Sequence, residues 1–212
     1  MKDINEISSS VIARLPRYYR FLCELSKNGA VRISSKELSS KMGLTASQIR
    51  QDFNCFGGFG QQGYGYKIDQ LINELASIMG LDELKSAILI GAGNMGRAVA
   101  SQMSFESMGF KLNAIFDSDP LFKDMKLKGL PIRNSNELEK YCAVNKTDMA
   151  ILCIPQEETP AVVDKLVLLG IDSFWNFSHY DIHRKHPLAN VANVHLSDSL
   201  MTLSYTIKNN GR

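Results

Sequence analysis

The chain has 212 residues, 44% of them hydrophobic and 22% charged, with a formal net charge of +2. That length suits one large or two modest domains, each able to bury a core, and no window reaches the roughly 18–20 consecutive apolar residues of a membrane span. The polar, partly acidic opening Met1-Lys2-Asp3-Ile4-Asn5-Glu6 is not expected to be a signal peptide.

The charge is unevenly placed. Residues 1–67 hold ten Lys/Arg and five Asp/Glu, whereas residues 68–212 hold 14 and 17. A basic front module joined to a mildly acidic remainder points to a polyanion as the partner of the first. The cysteines at 23, 55, 142 and 153 show no CxxC spacing and read as reduced thiols of a cytoplasmic protein.

In chain order, the spacing of Leu15, Tyr18 or Tyr19, Leu22 and Leu25 predicts a helix over 14–25, with Pro16 in its first turn. Val31-Arg32-Ile33 is a short extended piece. Two capping boxes follow, Ser34-Ser35-Lys36-Glu37 and Thr45-Ala46-Ser47-Gln48, each opening a short helix. Two helices joined by Gly43-Leu44 make a helix-turn-helix. Its second helix would enter the major groove, so Thr45, Ser47, Gln48, Arg50 and Gln51 are the candidate base readers. The stretch from Phe56 to Tyr66 has five glycines among aromatics and amides and reads as a β-hairpin wing. Its tip, Gly60, Gln61 and Gln62, offers hydrogen bonds to DNA but no charge. An apolar stripe over 68–80 predicts a connecting helix ending at Gly80.

A second module starts beyond. Ala87-Ile88-Leu89-Ile90 reads as a strand, and Gly91-Ala92-Gly93-Asn94-Met95-Gly96 matches a dinucleotide-binding fingerprint opening a helix over 95–103. The glycines allow a tight turn and close approach of a pyrophosphate, which would rest on N–H groups at the helix N-terminus. The next apolar run ends in Asp117, followed by Ser118; a carboxylate there would hold a ribose and favour NAD over NADP. Further strands are expected over 148–155 and 171–175, with helices over 135–144 and 159–169. This alternation predicts a doubly wound parallel sheet whose strand ends gather the 91–96 turn, Asp117, Cys153, Ile154, Pro155, Asn176 and Phe177 around one crevice. His179, His183 and His186 read as polar loop residues rather than metal ligands. About 130 residues after Gly80 leave no room for a substrate domain, so catalysis is the lesser reading. A last helix, from about Ser197, carries an apolar face that needs a place to dock.

The chain resembles the Rex family of bacterial redox-sensing transcriptional repressors along nearly its full length. The resemblance rests on Val11-Ile12-Ala13-Arg14-Leu15-Pro16-Arg17-Tyr18, on Ile49-Arg50-Gln51-Asp52-Phe53 with Phe56-Gly57-Gly58-Phe59-Gly60, on the 91–96 turn with Phe116-Asp117, and on Trp175-Asn176-Phe177. It implies an α/β protein: an N-terminal winged helix-turn-helix with its connecting helix (1–80), a Rossmann-like NAD(H)-binding sheet (81–196) and a C-terminal helix swapped in a homodimer (197–212). It also implies binding to double-stranded inverted-repeat operator DNA and release when NADH displaces NAD, with no catalytic residue and no metal. By resemblance Arg14, Arg50, Gln61 and Gln62 would lie at DNA. Arg20, with Gln102 and His195, would couple the two modules. The chain departs from the family at Gln51 and Gln62, where Lys and Arg are common, and at His195, where aspartate is the usual partner of Arg20. Gln102 stands for a frequent tyrosine, and Ser178-His179 for Ala-Pro. Two other readings stay open: a small NAD-dependent oxidoreductase, and a DNA-binding repressor with a vestigial Rossmann domain.

Overall fold

The computed structural model describes residues 7–57 and 64–210, and the chain divides into two compact units, the boundary falling between Asp82 and Glu83.

In the first unit, a short α1 (Ser9–Ile12) precedes α2 (Leu15–Lys27), which turns Leu15, Tyr18 and Leu22 inward. β1 (Arg32–Ile33) leads into α3 (Ser35–Met42). There the expected capping box is complete: Ser34 Oγ accepts the Glu37 N–H at 3.1 Å, and the Glu37 carboxylate accepts the Ser34 N–H at 2.8 Å. α4 (Ala46–Asn54) starts with Thr45 Oγ1 accepting the Gln48 N–H at 3.1 Å. The reciprocal half expected of Gln48 does not form. Its amide donates instead to Asp52 at 3.0 Å, because an ionised carboxylate makes the stronger, charge-assisted bond. β2 (Tyr66–Lys67) pairs antiparallel with β1, and α5 (Ile68–Ile78) sets Ile68, Leu71 and Leu75 into a core with Tyr18, Leu38, Ile49 and Phe53. Most of the expected wing, including Gly60, Gln61 and Gln62, lies outside the described residues.

One buried carboxylate fastens α4 to α2. Asp52 is fully buried. It accepts a fork from Arg14, Nε at 2.7 Å and Nη2 at 2.8 Å, and the Tyr18 hydroxyl at 2.7 Å. Burial alone would raise its carboxyl, but the bonds from Arg14, Tyr18 and Gln48 outweigh that and hold it below the ordinary range. Burial and the bond to Asp52 push the Tyr18 phenol upward.

The second unit contains β3 (Lys85–Ile90), α6 (Asn94–Gln102), β4 (Phe110–Asp117), β5 (Lys126–Leu127), β6 (Leu130–Asn134), α7 (Leu138–Val144), β7 (Met149–Leu152), α8 (Thr159–Leu168), β8 (Ser173–Asn176), β9 (Asn190–Asn193) and α9 (Leu196–Asn210). Its seven strands lie in the order β5-β6-β4-β3-β7-β8-β9, parallel except for the β5–β6 pair. Central strands are apolar without alternation because both faces are covered. Ile88 and Ile90 pack with Phe116, Leu152 and Phe174 on one side, while Ala87 and Leu89 pack with Ile115 and Ile151 on the other. The chain leaves β3 for β4 on one flank and returns as β7 on the other, which puts the switch point at the carboxyl end of β3. The β5–β6 hairpin and β9 have no counterpart in the sequence reading. They are short, and Asn190-Val191-Ala192-Asn193 lacks any apolar run to mark it.

Replacing Asp52 by Ala removes the acceptor of Arg14 and Tyr18 and should cost about 3 kcal/mol in urea unfolding. Because folding holds the Asp52 carboxyl low, its contribution is present above the ordinary carboxylate range and lost as pH falls below it. Acid titration of Asp52→Asn should therefore show a shallower loss of stability than the parent chain.

Candidate functional site

α4 has two faces. Ile49, Asp52 and Phe53 point inward, whereas Ser47, Arg50, Gln51 and Asn54 are exposed. The exposed four fall at i, i+3, i+4 and i+7, one stripe along the helix, and all are able to donate hydrogen bonds. Arg50 leans on the start of α3, with Nη1 donating to Ser35 Oγ at 3.1 Å in an exposed position. Thr45 is exposed, but its hydroxyl caps the helix. Arg14 and Gln48 are both engaged by Asp52, so the structure uses them to hold α4 rather than to extend the stripe. Asn54 was missed in the sequence; continuing the 47–50–51 spacing by one step would have found it.

A second site is built where β3 meets α6. Gly91 has φ 97°, and a Cβ there would collide with the Cys153 carbonyl oxygen. At Gly96 a Cβ would run into the Gly91 oxygen. The missing side chains let the turn lie against β7 and let α6 pack back onto the turn. Gly93 is different: it precedes α6 in extended backbone, and a Cβ added there meets nothing within 4 Å. Beyond it the first N–H groups of α6, at Asn94, Met95 and Gly96, have no carbonyl one turn earlier within the helix. The result is an open cradle at the positive end of a helix, with the polarity that suits a pyrophosphate.

Asp117 ends β4 beside this cradle. Its Oδ2 accepts the Ala92 N–H at 2.5 Å and its Oδ1 accepts the Asp119 N–H at 2.8 Å. The carboxylate thus braces the turn, and each oxygen keeps a lone pair for a ribose hydroxyl. A cavity of about 400 Å³ adjoins it, with Phe122, Lys123, Arg133 and Glu137 in its wall. Ser118 follows, exposed.

On the other flank, burial pushes the Cys153 thiol up to about 12, so it is no nucleophile near neutral pH. Ile154 is half-buried, and the Pro155 carbonyl accepts the Thr159 hydroxyl at 2.9 Å. Asn176 is buried. Its amide donates to Tyr180 O at 3.0 Å and Asn193 Oδ1 at 2.8 Å, and its Oδ1 accepts from Ser178. Asn176 therefore shapes the crevice floor by joining β8, its following loop and β9. Phe177 packs edge-on against Trp175, centroids 4.8 Å apart. Among the described residues no three His, Cys, Asp or Glu converge as a metal site. His183 Nε2 lies 3.1 Å from the Ala189 carbonyl and His186 Nε2 is 2.7 Å from Asp164. Arg20 is exposed on α2, and Gln102 is exposed at the last position of α6.

Comparison with known proteins follows the two units. Residues 6–54 match the family described as "Putative DNA-binding protein N-terminus", and residues 82–180 match the CoA binding domain family. The redox-sensing transcriptional repressor Rex of Thermoanaerobacter pseudethanolicus is 50% identical over 207 residues, covering 98% of this chain and 92% of the relative. Rex of Clostridium beijerinckii is 47% identical over 211 residues, covering 98% of each. The crystal structure of RSP in complex with beta-NAD+ and operator DNA superposes with a TM-score of 0.90 at 50% identity, over 97% of this chain and 94% of that one. RSP in complex with beta-NADH gives 0.88 at 46% identity, over 99% and 97%.

Gly93 and Gly96 should separate folding from binding. Gly93→Ala is expected to leave the melting temperature of the ligand-free chain unchanged while weakening NADH, read by its fluorescence, by about 10–100-fold. Gly96→Ala should lower the melting temperature itself.

Proposed function

The chain belongs to the Rex family of redox-sensing transcriptional repressors, and from that membership we propose how its own residues divide the work. The first unit reads operator DNA and the second reads whether NADH or NAD+ is bound. The cofactor is sensed rather than turned over. The observation that carries the assignment is that one chain holds both the exposed polar stripe of α4 and the open cradle of the 91–96 turn.

On DNA, Ser47, Arg50, Gln51 and Asn54 face the major groove, with Arg50 the group best suited to guanine or to a phosphate. Thr45, at the helix start, and Gly60, Gln61 and Gln62 add contacts to DNA. Arg14 and Gln48 act by holding α4 in place. For the cofactor, the N–H groups of Gly93, Asn94, Met95 and Gly96 take the pyrophosphate, and Asp117, with Ser118, takes the adenosine ribose and excludes a 2′-phosphate. Cys153, Ile154, Pro155, Asn176 and Phe177 line the nicotinamide side. When bound, the cofactor supplies only a difference of charge between its oxidised and reduced rings. Arg20, Gln102 and His195 carry that difference toward the DNA-binding unit.

The active form is a homodimer. α9 has no buried residue, and Leu200, Met201, Leu203, Tyr205 and Ile207 are all exposed along it. A helix of this kind is completed by a second copy, and a two-fold dimer matches an inverted repeat. No helix of the described residues is long and apolar enough to cross a membrane, and a repressor on operator DNA works in the cytoplasm.

NADH can shift the protein off DNA only by binding the DNA-incompetent arrangement more tightly than the competent one. A 100-fold preference corresponds to about 2.7 kcal/mol of coupling. Titrating a labelled inverted-repeat operator should give about that ratio between the NAD+ and NADH complexes; equal affinities would defeat the sensor reading. Arg50→Ala should lower the slope of log affinity against log salt by about 0.9 for each phosphate that Arg50 neutralises.

A further inference from the structure

His179 follows β8 and His195 follows β9, both at the carboxyl ends of their strands. Their rings stack, with centroids 5.0 Å apart and planes at 29°. His195 Nδ1 stands 3.5 Å from the Asp198 carboxylate, in the first turn of α9. The other nitrogen, His195 Nε2, is buried and has no hydrogen-bond partner among the described residues. A buried polar atom without a partner carries a desolvation cost, which marks it as a place where a function holds it.

The sheet order locates the pair relative to a dinucleotide. β4, with Asp117 at its end, lies on one flank of β3, and β7, β8 and β9 lie on the other. A ligand across the switch point, with its adenosine ribose at Asp117, directs its nicotinamide half over β7 and β8. That is the flank on which His179 and His195 stand. The nicotinamide ring is cationic when oxidised and neutral when reduced.

Resting on the dinucleotide reading above, we propose that the His179–His195 pair sets the preference for the reduced over the oxidised cofactor. Among the described residues the Asp198 carboxylate, on α9, stands beside His195, and the two rings face each other. An imidazolium at this flank repels a cationic ring and tolerates a neutral one. Proton uptake and binding of the reduced form are therefore linked, and by reciprocity acid favours NADH over NAD+.

The experiment uses the full chain, with NADH followed by its fluorescence and NAD+ by competition, from about pH 8 to about pH 6, the span in which imidazoles ordinarily titrate. The ratio of Kd for NAD+ to Kd for NADH should rise on the order of tenfold as pH falls, the size expected of one added charge in a partly screened site. His195→Gln, which keeps hydrogen-bonding capacity but cannot charge, should flatten the ratio, and His179→Ala, at an exposed position, should reduce its slope. A ratio that is flat in the parent chain, or equally steep in His195→Gln, overturns the proposal. A parent chain that binds no NADH at any pH overturns the dinucleotide reading, and this inference with it.

Discussion

Asp52 has no solvent exposure and four donor atoms aimed at it, two from Arg14 and one each from Tyr18 and Gln48. A buried carboxylate is tolerable only when so fully satisfied: removing Arg14 leaves an uncompensated charge, and removing Tyr18 or Gln48 leaves a lone pair unmet. The consequence is geometric. α4 cannot rotate about its own axis without breaking several charge-assisted bonds, so the stripe of Ser47, Arg50, Gln51 and Asn54 is displayed at a fixed angle to α2. Arg17, also on α2, donates to the Met42 carbonyl at the end of α3. One helix thereby fixes both helices of the helix-turn-helix, and whatever displaces α2 displaces the exposed stripe of α4 with it.

The second unit solves a comparable problem with backbone rather than side chains. Gly91 and Gly96 stand where carbonyl oxygens would occupy the space of any Cβ, so strand, turn and helix are as close as main chains allow. Asp117 then ties the turn to the end of β4 through the Ala92 N–H. With the turn so fixed, Gly93 alone of the three glycines is left facing open space. The division is informative: two glycines build the fold, and the third stands beside open space.

What the sequence made legible was local. Capping hydroxyls, Gly43 after α3, the apolar run before Gly91 and the acid at the end of β4 all act within a few residues of themselves, and each marked its element. Less visible was where a polar side chain finds its partner. Arg14 and Asp52 are 38 positions apart, so an exposed-looking arginine in a basic segment gave no sign that it faces inward. Gln48 fitted a capping box by spacing, yet its amide N–H donates to Asp52 one turn along the same helix. β9 was invisible because a polar edge strand needs only pairing with β8, not an apolar signature. The stack of His179 on His195 likewise joins two loops that only the sheet brings together.

The bare surface of α9 has a quantitative consequence. If a second copy must cover it, the folded, paired state obeys mass action, and its population depends on the total amount of chain present. Dilution then loosens the protein and empties its binding sites together. The threshold for repression would be set by how many molecules a cell makes as well as by the ligand each one holds, giving expression level a direct voice in the response.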